Sequence, residues 1–101
     1  MDLSRHDFLK AKVLFKLARF GCYGGKHISL DVLTHGFKPH EKGEVDGIMD
    51  ELITERWLLE KPAHYGKQVM LNIEFSKEIK AFIRQKLGST PPFSELLKWM
   101  K

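Results

Sequence analysis

Residues 40–61 read HEKGEVDGIMDELITERWLLEK, and their pattern decides how the rest of the chain is understood. Val45, Ile48, Met49 and Leu52 fall at i, i+3, i+4 and i+7, the stripe of a helix with one buried face. The helix is expected to begin between His40 and Glu44 and to end near Arg56. Trp57 to Lys61 then switches to the apolar and β-prone character of a strand. The charges on this helix are unusual. Glu41, Glu44, Asp46, Asp50, Glu51 and Glu55 face one lysine, Lys42, giving residues 40–55 a charge of −5 in a chain whose total is +4.

Downstream, PAHYG (62–66) reads as a loop, and KQVMLNIEF (67–75) is the clearest strand signal in the chain. Val69, Leu71, Ile73 and Phe75 alternate there with Gln68, Met70, Asn72 and Glu74, the period of a half-buried strand. Ser76 is placed to cap a helix to about Leu87, with Ile79, Phe82, Ile83 and Leu87 inward and Gly88 past its end. STPP then makes a stiff connector. FSELLKWMK forms a short amphipathic helix in which Phe93, Leu97, Trp99 and Met100 either cap the core or pair two chains.

Upstream, a first helix is expected from about His6 to Phe20. Its apolar residues cover about 260° of the circumference, leaving Arg5, Lys12, Lys16 and Arg19 as a basic ridge in the gap. Gly21, Gly24 and Gly25 break that helix. KHISL has room for a short strand through His27 and Ile28. Ser29 is a candidate N-cap for LDVLTH, a helix of little more than two turns, with Gly36 as its C-terminal glycine.

The order helix, short strand, helix, turn, helix, hairpin, helix resembles the winged helix-turn-helix superfamily over roughly Phe8 to Leu87. Val45, Met49, Leu52, Arg56 and Trp57-Leu58 match the spacing of that superfamily's third helix and the start of its wing. Arg56 stands where the superfamily usually has glycine. The resemblance implies a mainly α protein with a small antiparallel sheet: a three-helix core, a β-hairpin wing and extra C-terminal helices. Residues 1–88 would form the winged-helix domain, and 89–101 a connector with a short amphipathic helix.

The resemblance also implies duplex DNA as a partner, transcriptional regulation as the role and a homodimer as a possible state. The usual groove-reading positions hold Gly43, Glu44, Asp46, Gly47 and Asp50, however. A like charge about 5–7 Å from a phosphate costs roughly 0.5–1 kcal/mol even at the dielectric of water. Contact is therefore expected through Lys38, His40 and Lys42 before the third helix and through Lys61, His64, Tyr65 and Lys67 of the wing. Lys77, Lys80 and Arg84 add a basic stripe on the fourth helix. Such binding is directed at phosphates and sensitive to salt. The alternative is a protein-interaction module that offers Glu44, Asp46, Asp50 and Glu51 to a basic partner.

Other chemistry finds little footing. Cys22, His27, His35 and His40 cluster in sequence without the spacing of a zinc site, so no metal or cofactor is expected. Gly24-Gly25-Lys26 lacks the rest of a phosphate loop. Asp46 and Asp50 lie one helical turn apart with no third ligand indicated. No catalytic constellation is legible, so the chain reads as a non-enzyme. The single cysteine suits a reducing compartment, and MDLSRHDFLK lacks a signal peptide's apolar region. A cytoplasmic location is the expectation.

Overall fold

A chain with this much apolar helix must close its faces against one another, and α1 (Leu3–Arg19) is the element they close on. The computed structural model describes residues 3–23, 26–63 and 66–100. Leu9, Ala11, Val13, Leu14, Phe15, Leu17 and Ala18 of α1 are all buried, as the breadth of its apolar arc requires. After α1 come β1 (Ile28–Ser29), α2 (Leu30–Thr34), a 3-10 turn (Pro39–Glu41) and α3 (Lys42–Thr54). The hairpin β2 (Leu58–Ala63) and β3 (Gly66–Leu71) follows, then α4 (Ser76–Leu87) and α5 (Phe93–Leu96). The protein is mainly helical with one small antiparallel sheet.

The sheet has the order β1-β3-β2, so the last strand in sequence lies in the middle. Ile28 is opposite Val69, while Leu58 is opposite Leu71 and Ala63 opposite Gly66. Val69 and Leu71 are buried beneath the helices. Pro62 lies on the edge strand β2, where its missing N–H costs the ladder little. The core joins α1 to Val45, Ile48, Met49 and Leu52 of α3 and to Ile79, Ile83 and Leu87 of α4. Phe93 closes one end, edge-on to Phe8 at 5.8 Å and to Phe15 at 6.0 Å.

Several expected boundaries move. The first helix starts one turn early, at Leu3, and Arg5 and His6 in that turn bond to α3. The short strand is Ile28–Ser29 rather than one through His27. Ser29 caps α2, its hydroxyl accepting from the Val32 N–H at 3.2 Å. Gly36 is not the left-handed terminator expected of it, since α2 ends on His35 in right-handed geometry. The hairpin strands extend further into the anticipated loop, leaving only His64 and Tyr65 between them, outside the described residues. Gly24 and Gly25 also lie outside.

The larger correction concerns residues 72–76. β3 stops at Leu71, and Ile73–Phe75 form a 3-10 turn that runs directly into α4. Asn72 causes the change. Its side-chain oxygen accepts from the Glu74 N–H at 3.1 Å, while its amide donates to the Arg56 carbonyl at 2.8 Å. An Asx cap of this kind competes directly with strand extension. Ile73 is consequently 63% exposed instead of inward, and Asn72 rather than Ser76 starts the helix.

Two helices end in the same way with different residues. After α1, Gly21 has φ 68, its N–H donating to Ala18 and that of Cys22 to Leu17, both at 3.0 Å. After α3, Arg56 has φ 67, its N–H donating to Ile53 at 3.1 Å and that of Trp57 to Leu52 at 3.0 Å. Both are Schellman ends, which favour glycine at the left-handed residue. An L side chain there costs about 1–2 kcal/mol, partly offset by glycine's greater freedom when unfolded. Arg56→Gly should therefore raise stability by about 0.5–1 kcal/mol in denaturant titration, and Gly21→Ala should lower it by about 1 kcal/mol or more.

Candidate functional site

Most of the acids of α3 find partners within the chain. Glu41 is consumed locally, accepting from the Lys38 N–H at 3.1 Å in the turn that precedes the helix. Glu44, Glu51 and Glu55 share the flank of α3 turned toward α1. Arg5 holds Glu44 with two bonds of 2.7 and 3.2 Å. His6 lies 3.2 Å from Glu51. Lys10 bonds Glu51 and Glu55, each at 2.9 Å.

Lys10 is the residue that the sequence reading passed over. It sits within the apolar arc of α1, opposite the basic ridge, and a lysine among core positions was the available signal. Only 9% of it is exposed. Its ammonium lies 5.6 Å from the Trp57 ring centre and 5.5 Å from that of Phe82, rings that meet edge-on at 5.8 Å. Burial alone would draw the ammonium down. The hydrogen bonds and charges of Glu51 and Glu55 outweigh that and hold it above the usual lysine range. Glu51 is held below the usual carboxylate range, first by the hydrogen bond from Lys10 and further by His6. Glu44 is lowered by its hydrogen bond with Arg5.

Two acids remain directed elsewhere. Asp46 and Asp50 are exposed and have no ion pair among the described residues. They share the outer face of α3 with Gly43 and Gly47, where an added Cβ would meet nothing within 4 Å. The four acids expected to form one docking face thus divide: Glu44 and Glu51 point to α1, Asp46 and Asp50 outward. The helix presents a small, mildly acidic strip.

The basic candidates also divide. Lys38, His40 and Lys42 are exposed around the start of α3. In the hairpin, Lys61 is exposed opposite Gln68, and Lys67 is exposed with its ammonium 3.4 Å from Glu60. His64 and Tyr65 lie outside the described residues. Of the expected α1 ridge, Arg5 is paired, while Lys12 and Lys16 lean over the Phe37 ring at 5.4 and 5.8 Å. On α4, Lys80 lies over Tyr23 at 5.8 Å, and Lys77 and Arg84 are exposed. Phe93, Leu97 and Met100 pack against the core as partly buried residues, and the side chain of Trp99 lies outside the described residues.

No group of three His, Cys, Asp or Glu among the described residues is placed to hold a metal ion. Cys22 is buried, and that burial raises its thiol above the usual range. No described helix is long and apolar enough to cross a membrane. Comparison with family models, with curated proteins and with solved structures returns no match.

The pairing of Lys10 with Glu51 makes a definite pH prediction. Glu51's contribution is complete above its unfolded pKa of about 4.3 and is lost as pH falls through its lower folded value. That of Lys10 is complete below about 10.4 and is lost as pH rises through its higher folded value. Glu51→Gln should melt below the parent protein at pH 7, with the gap in Tm narrowing as pH falls below about 4. Lys10→Met should cost about 1–2 kcal/mol, between the worth of exposed and buried pairs.

Proposed function

We propose that the chain is a winged helix-turn-helix protein that binds duplex DNA, with transcriptional regulation as its role. The observation that carries this reading is the sheet order β1-β3-β2 together with the placing of α3 immediately before the hairpin. That arrangement resembles the superfamily named above. A three-helix core of α1, α2 and α3 would present β2 and β3 as the wing.

Electrostatics then select the mode of contact. Three of the glutamates answer cations of α1, so the repulsion facing a phosphate backbone comes mainly from Asp46 and Asp50 and from Glu41, whose carboxylate is held by a backbone N–H and keeps its charge. Lys38, His40 and Lys42 at the head of α3 and Lys61 and Lys67 in the wing supply the attraction, with His64 and Tyr65 at the wing tip. The outer strip of α3 offers two carboxylates and two glycines, a poor reader of base edges. Binding is therefore phosphate-directed and weakly sequence-selective.

Fluorescence anisotropy with a labelled duplex at low salt tests this. A dissociation constant in the micromolar range is expected, with a log–log salt slope near −3 to −4 for about four lysine–phosphate contacts. Lys61→Ala with Lys67→Ala should reduce the slope by about two. Asp46→Asn with Asp50→Asn should tighten binding about 5- to 30-fold. No binding of any duplex at micromolar protein would defeat the proposal.

One observation favours a second reading. Two exposed glycines stand one turn apart on α3, Gly47 weakening its interior by about 1 kcal/mol relative to alanine, and an added Cβ at either would meet no described atom within 4 Å. A basic protein partner could approach closely there, beside Asp46 and Asp50. Replacing both aspartates with lysine separates the readings: stronger DNA binding supports the first, and loss of a protein partner in pull-down supports the second.

A further inference from the structure

The C-terminal half of α1 borders a groove of about 230 Å³ that the DNA reading leaves unused. Phe15, Phe20 and Phe37 form its apolar lining with Phe93 and Leu96 of the C-terminal segment. Phe20 is 40% exposed although it is a large hydrophobic residue. Lys12, Lys16 and Arg19, all from α1, stand around it. None of these three cations forms an ion pair with a described carboxylate.

Lys16 is the most constrained of the three. Its ammonium lies over Phe37 and, among the described residues, hydrogen-bonds the Val32 carbonyl at 3.4 Å. Burial without a counter-ion draws it below the usual lysine range. Gly36 forms the facing wall, where a Cβ would come within 3.1 Å of that ammonium. The glycine thus lies directly beside the cation. A second hollow shares Lys16, Phe20 and Gly36 and continues across α2 to Val32, which is 53% exposed. Asp31 is the one carboxylate lining it.

An aromatic hollow ringed by cations that lack counter-ions is complementary to a small molecule that is apolar at one end and anionic at the other. The apolar body would cover Phe15, Phe20 and Phe37, and the anion would give Lys16 the partner it lacks. A neutral apolar compound would leave that ammonium unpaired. A phosphate backbone would pair the cations and leave the aromatic lining uncovered. We propose that this groove is a binding site for a small amphipathic carboxylate with an aromatic or short alkyl body. The inference is independent of DNA binding, because it uses none of the residues assigned to that contact.

Naphthoate is a suitable probe, with uncharged naphthamide as the control, each followed by amide proton–nitrogen correlation spectra of the full chain. The expected result is saturable naphthoate binding with a dissociation constant of about 1 mM or tighter. Shifts should centre on Phe20, Gly36, Phe37 and Leu96. Naphthamide should bind about tenfold more weakly, and Lys16→Met should weaken naphthoate by a similar factor. If the spectrum of Lys16→Met is collapsed, Lys12→Met combined with Arg19→Gln provides the same comparison. Equal binding of the two probes, shifts centred elsewhere, or no saturable shift at several millimolar naphthoate would overturn the proposal.

Discussion

Burial of α1 is the constraint on which the other elements depend. Seven of its residues between Leu9 and Ala18 are buried and apolar, and α3, α4, the sheet and Phe93 must cover them from different directions. Burying one Val, Leu or Phe side chain contributes roughly 1.5–3 kcal/mol, so this helix outweighs any single polar contact in the molecule. The ion pairs act within that frame. The buried stripe of Val45, Ile48, Met49 and Leu52 sets which side of α3 faces α1, and the ion pairs form along the flank that this leaves beside Arg5, His6 and Lys10.

Charge counting obscures this division. A segment of charge −5 looks hostile to DNA when treated as a unit. Folded, it is a helix with an acidic inner flank matched to Arg5, His6 and Lys10 and an outer strip of Asp46, Asp50 and two glycines. The same folding takes Arg5 out of the expected basic ridge. Lys12 and Lys16 stay on their side of α1, where they border an aromatic groove. Charge of both signs is thus sorted by tertiary contact into structural and available groups.

Polar side chains at chain turns supply the remaining definition. Asn72 joins the end of α3, the end of β3 and the start of α4 through bonds to Arg56 and Glu74, while its own N–H donates to the Trp57 carbonyl at 2.9 Å. This ties the hairpin's base to the helix that precedes it. Arg56 adopts its left-handed conformation at that junction, where its carbonyl is required by Asn72. The buried Tyr23 hydroxyl, by contrast, has no hydrogen-bond partner among the described residues. Such a group costs about 1–3 kcal/mol.

By itself the sequence determined what rests on periodicity and on local capping: a broadly apolar first helix, the four-residue stripe of α3, the alternation through Leu71 and the Ser29 cap. These signals depend on neighbours within a few positions, so they can be read along the chain. It did not reveal that strand propensity would yield at Asn72, because the local bond from Glu74 is joined there by one to Arg56, sixteen residues away, that holds the Asn72 amide in place. Nor could it separate Glu44, Glu51 and Glu55 from Asp46 and Asp50, since their partners on α1 are about forty residues earlier. The groove beside Lys16 likewise draws its walls from α1, the Gly36 turn and the C-terminal segment. Only the tertiary structure decided these features, because whether a charge is paired and whether an apolar face is covered depend on distances in space that sequence separation does not record.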